Sequence, residues 1–196
     1  CTSNMKQIGS ALALYSNTYN DYIPNYEYKY IVGTPYTFWG VLLSSIMNQK
    51  LAGTAHLAKT FICPSQSSAA DFLGKPTIVW NASGYGTNHR AYPFSYGGPS
   101  KGVYKISRFV NHSRIGYASE HTRQGEDLNV ASGNIPSLYM DGSQLPGRIL
   151  GMTLSRHRGR ANVLFLDSHV QNANVSREYN KYAGRTAEWT NACVAK

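Results

Sequence analysis

The chain reads as an α+β domain on three observations: an amphipathic helical pattern opens it, short strand-like runs bounded by turn residues follow, and 196 residues suffice for one sizeable core rather than two full domains. The expected arrangement is an N-terminal helix over residues 1–20 packed on an antiparallel sheet. Residues 21–196 form a loop-rich globular head that makes a single domain with that helix.

The helix is the clearest element. Met5, Ile8, Leu12, Tyr15 and Tyr19 recur at spacings of 3 and 4, which draws a narrow apolar stripe down one face. Asn17, Asn20, Asp21 and Pro24 stop it. Residues 26–32 alternate tyrosine with charge and predict a half-exposed strand. A short helix is expected over 38–48 and a brief strand over 59–65, ended by Pro64. Residues 65–102 are loop-rich. Their "SGYGTN" and "YGGPSKG" pieces match no phosphate-loop pattern and are expected to be turns. Strands are expected over 103–109 and 114–120, an irregular connection over 125–148, and weak helical character at most over 176–196.

Residues 155–172, "SRHRGRANVLFLDSHVQN", hold the best-defined later element. The run 161–167 is a buried strand by composition, Val163 and Phe165 projecting one way and Leu164 and Leu166 the other. Asp167-Ser168 then sits where a tight turn would reverse the chain, and His169 opens the returning strand.

With 42% apolar and 15% charged residues the chain is globular, not disordered. Its wealth of Gly, Ser, Asn and 15 tyrosines suits an extracytoplasmic domain. A formal charge of +9 favours anionic partners such as nucleic acid, acidic glycans or a membrane face, although solubility alone is the plainer explanation. No apolar run reaches the roughly 18–20 residues that a membrane span needs. A first residue of Cys, not Met, leads us to expect a mature or trimmed fragment.

Cys1, Cys63 and Cys193 allow one disulfide and a spare thiol in three pairings, which the sequence leaves open. Cys1 with Cys63 is one candidate, and closing that loop would contribute roughly 4 kcal/mol. No CxxC or Cys/His spacing suggests structural zinc. His157, Asp167 and His169 would supply three zinc-type ligands if they converged. Arg156, Arg158 and Arg160 repel a cation there and offer no carboxylate to orient a histidine, so no metal is expected at that place. Glu120, Glu126, Asp127 and Asp141 lack the regular spacing of a calcium loop. No nucleophile–base signature is present, and no enzymatic activity or cofactor is expected.

His157, nine intervening residues and then Asp167 resemble the H-X9-DG signature of the prepilin-type processing-associated, pseudopilin-like family. The blocks "CTSNMKQIGSALALYSNTYNDYIP", "FWGVLL", "FICPS", "YGTN", "ISRFVNHSRIGYASE" and "RHRGRANVLFLDSHV" resemble that family's blocks in the same order across nearly the whole chain. Ser168 stands where the family has Gly, and His112 where it commonly has Pro. The resemblance implies a leader cut by a prepilin peptidase, N-methylation, and an apolar membrane helix of which residues 1–20 are the C-terminal part. It further implies anchoring in a bacterial inner membrane with an extracytoplasmic head, and helix-to-helix assembly with other pilin or pseudopilin subunits. The expected function is therefore a structural subunit of a type II secretion or type IV pilus-like filament. His157 and Asp167 carry a structural role in it. The alternative is a surface module in which Arg156, Arg158, Arg160 and exposed tyrosines hold DNA or acidic polysaccharide.

Overall fold

The structure, a computed structural model, describes residues 1–24, 39–47, 56–65, 78–79, 85–87, 105–120, 157–158 and 160–174. The expected strand at 26–32, the connection at 125–148 and the closing segment lie outside these residues, as do Arg156, Glu126, Asp127, Asp141 and Cys193.

Helix α1 spans Thr2–Thr18 and buries Met5, Ile8 and Leu12 as the periodicity predicts, with Tyr15 half-buried, whereas Tyr19 of the same expected stripe lies past the helix end and is exposed. It ends because Asn20 and Asp21 both take left-handed backbone, φ 56° and 71°, a conformation that short polar side chains tolerate better than most. Helix α2 covers Trp39–Ile46. Trp39 is fully buried and meets Phe61 and Tyr117 edge-on, with ring centroids 5.1 and 5.8 Å away. Tyr117 is fully buried too. Desolvation, and secondarily Tyr15, push its phenol well above the ordinary range, so it remains a hydroxyl and donates to the Pro24 carbonyl at 3.5 Å.

The strands are β1 (His56–Leu57), β2 (Ile78–Val79), β3 (Tyr85–Thr87), β4 (Gly116–Glu120), β5 (Arg160–Phe165) and β6 (Val170–Asn174). β1 and β2 form a small antiparallel pair, and β3-β4-β5-β6 form a four-stranded antiparallel sheet against which α1 packs. The fold is thus α+β, with an N-terminal helix on an antiparallel sheet. Register slips between Gly116 and Ala118. This bulge re-aims one residue, and both Tyr117 and Ala118 join the core cluster.

Three expectations need correction. The strand expected over 59–65 is a 3-10 turn at Lys59–Phe61 leading into an extended segment. The Ile62 carbonyl, which a ladder would use, instead accepts from Asn4 Nδ2 of α1 at 2.9 Å. Of the strand expected over 103–109, the described residues 105–109 hold a single bridge, Lys105 with Tyr22, followed by a 3-10 turn at Ile106–Arg108. Here Asp21 takes both backbone donors, its carbonyl accepting from Ile106 N at 2.8 Å and its carboxylate from Ser107 N at 2.9 Å. Conversely, "YGT" at 85–87 pairs with Ala118–Glu120 as a strand, where a turn was expected.

α1 lies very close to the sheet at Gly9. A Cβ added there would sit 2.9 Å from both Leu164 Cδ1 and the Ser168 carbonyl oxygen. The leucine could swing aside, but the backbone oxygen belongs to the β5–β6 turn. Gly9→Ala should therefore destabilise the chain by about 1–2 kcal/mol, overpacking outweighing the helix-propensity gain. The check is a fall in urea midpoint at unchanged slope; an equal or higher midpoint would contradict this packing.

Candidate functional site

The start of α1 is fastened to the segment after Ala58 at three levels. Cys1 is disulfide-bonded to Cys63, Asn4 bonds the Ile62 carbonyl, and Thr60 Oγ1 donates to Gln7 Oε1 at 3.4 Å. Positions 1, 4 and 7 share one helix face, so the two segments run antiparallel side by side. Of the three cysteine pairings the sequence leaves open, the structure contains Cys1–Cys63.

Glu120 ends β4 and is completely buried. Across the ladder, Asn162 of β5 holds its carboxylate twice: the Asn162 backbone N–H donates to Oε2 at 2.6 Å and Nδ2 donates to Oε1 at 2.7 Å. Asn162 Oδ1 in turn accepts from Thr2 Oγ1 at 2.9 Å and from Asn172 Nδ2 at 3.3 Å. A buried carboxylate is tolerable only with such partners.

His157 completes the group from the turn before β5. His157 and Arg158 both have left-handed backbone, φ 50° and 59°, at a cost of about 1–2 kcal/mol each. The imidazole Nε2 lies 3.1 Å from Glu120 Oε1 and 3.7 Å from Cys63 Sγ. The side chains therefore close a ring: Cys1 to Cys63, to His157, to Glu120, to Asn162, to Thr2, and by one peptide bond back to Cys1. One atom each of Cys1, Cys63, Glu120 and His157 fall within 4.8 Å of one another.

This is not a Cys-His-acid triad. A relay needs the acid on one ring nitrogen and the nucleophile on the other, whereas here Glu120 and Cys63 approach the same Nε2. The sulfur is also committed to a disulfide.

The three residues weighed together as metal ligands do not converge. His157 precedes β5, while Asp167 and His169 follow it, and the intervening six-residue strand separates them by roughly 20 Å. Asp167 instead builds the hairpin turn. Its Oδ1 accepts from the His169 backbone N–H at 3.3 Å and meets the ring Nδ1, while the His169 ring stacks on Phe165 at 4.3 Å. Ser168 adopts φ 69°, the backbone that favours glycine at this position. Arg158 is exposed. Arg160 turns along the sheet, its Nε donating to Asn172 Oδ1 and its guanidinium to the Asn172 carbonyl at 3.2 Å.

Sequence reasoning missed the partnership of Glu120 with Asn162. The available signal was polar residues inside otherwise apolar strands, Glu120 closing "GYASE" and Asn162 interrupting "ANVLFL". Comparison with protein-family models, curated proteins and solved structures gives no match.

Proposed function

We propose that the chain is a structural, pseudopilin- or minor-pilin-like subunit of a type II secretion or type IV pilus-like filament. The observation that carries this reading is the two-sided use of α1. Met5, Ile8 and Leu12 are buried in the core it shares with the sheet, while Leu14, on the opposite side, is 52% exposed. Leu14 also lines an open groove of about 340 Å³ with Gln7, Ser10, Ile46 and Met47, and it is here that this reading places a neighbouring subunit's helix. The ordered blocks that resemble the H-X9-DG family add support, with Asp167 shaping the β5–β6 turn and His157 in the ring of side chains that closes on Glu120.

In this reading α1 is the C-terminal part of a pilin-type helix, the head is extracytoplasmic, and no enzymatic activity is involved. No helix among the described residues is long and apolar enough to cross a membrane, so a spanning segment would lie outside them. The anion-binding alternative would use Arg158 and Arg160, which are both exposed, Arg160 also donating to the neutral Asn172 carbonyl.

The test is expression of the complete open reading frame with and without a prepilin peptidase, reading the mature N-terminus by mass spectrometry. Peptidase-dependent cleavage with N-methylation is the expected result. The same N-terminus in both strains would sink the proposal.

A further inference from the structure

We propose that Cys1, Cys63, His157 and Glu120 form a redox-gated site for a zinc-type divalent cation, closed as a disulfide when oxidised and competent to bind metal when reduced. The inference is independent of the filament reading.

The donor set is the first argument. Two thiolates, an imidazole and a carboxylate are all zinc ligands, and four is the coordination number of structural zinc sites. Their spacing is the second. Ordinary zinc–ligand lengths in a tetrahedron put a sulfur about 3.6 Å from a nitrogen and a nitrogen about 3.4 Å from an oxygen. In the structure Cys63 Sγ is 3.7 Å from His157 Nε2, which is 3.1 Å from Glu120 Oε1. The same nitrogen faces both neighbours, which defeats a catalytic relay but suits convergence on one central ion.

The outer partners fit as well. Asn162 holds the Glu120 carboxylate with two hydrogen bonds, one to each oxygen, the kind of support that orients a metal-bound carboxylate. Of the described arginines near His157, Arg160 is turned to Asn172 and Arg158 is exposed to solvent, which screens it, and the site itself would bring two thiolates and a carboxylate.

The two states exchange by a balanced step. A dithiol reductant gives two electrons and two protons to the Cys1–Cys63 bond and itself becomes a disulfide, leaving two thiols. Binding of the cation then releases both thiol protons to solvent. The disulfide fastens α1 to the segment after Ala58 only. The bound cation would join the same two segments to the end of β4 and the turn before β5, so reduction exchanges one fastening for another.

The experiment titrates the full chain with cobalt(II) under inert gas after phosphine reduction, beside the oxidised chain. The expected result is one equivalent bound by the reduced chain, with the intense visible bands of tetrahedral cobalt and a thiolate charge-transfer band, displaced by zinc and absent from the oxidised chain. His157→Gln retains an N–H donor for Glu120 and removes the imidazole. It should melt with the wild type when oxidised, yet bind cobalt at least about 10-fold more weakly when reduced, since losing even an outer-sphere partner costs that much. The proposal is overturned if the reduced chain gives only octahedral cobalt, if it unfolds and cobalt does not restore it, or if His157→Gln keeps the wild-type spectrum and affinity.

Discussion

Cys63→Ser is expected to lower the unfolding free energy by about 4 kcal/mol in metal-free, chelator-containing buffer. The bond joins residues 62 apart in sequence, and most of its effect lies in the unfolded chain, which loses the freedom to separate those residues. Cys63 is also fully buried, so its replacement places a hydroxyl in a dry position. Cys1→Ser should cost a similar amount, and the double variant no more than the larger single effect, because either change removes the same crosslink. Urea unfolding of the three variants decides the matter. A loss below about 1 kcal/mol, or additive losses, would mean that Cys1 and Cys63 act separately.

Glu120→Ala is expected to cost about 3 kcal/mol, the lower end for removing one member of a buried pair, because the His157 side chain retains 22% exposure. Truncation strands the Asn162 backbone N–H and its side-chain amide, both of which now donate to the carboxylate. The β4–β5 ladder should loosen locally, so hydrogen exchange at Asn162 should accelerate more than at Leu164. An unchanged exchange rate at Asn162 with a stability loss under about 1 kcal/mol would show that the carboxylate does not organise this strand pair.

How legible these elements are in sequence depends on where their partners lie. α1 and β5 can be read because burial imposes a period on consecutive residues: Met5, Ile8 and Leu12 for a helix, and the unbroken run from Val163 to Leu166 for a strand covered on both faces. The 3-10 turns at Lys59–Phe61 and Ile106–Arg108 cannot, because the hydrogen bonds that divert them from strand come from Asn4 and Asp21, far away in the chain. The same holds for the candidate site. Its members come from four separate places in the chain, and no local spacing joins Cys1 to Cys63 or Glu120 to His157. The H-X9-D spacing was visible, but it marks the two ends of β5, not a pair in contact.

The covalent link at the head of α1 also decides how the molecule would carry a load. A pull applied at Cys1 and resisted beyond Cys63 passes straight through the two sulfurs, so α1 and α2 carry no tension. The bypassed loop amounts to a hidden length of roughly 200 Å, at about 3.3 Å for each of the 62 residues of separation. Reduction with no cation bound would put that length, and the helices within it, in series with the force, making extensibility a property set by the redox state of one bond.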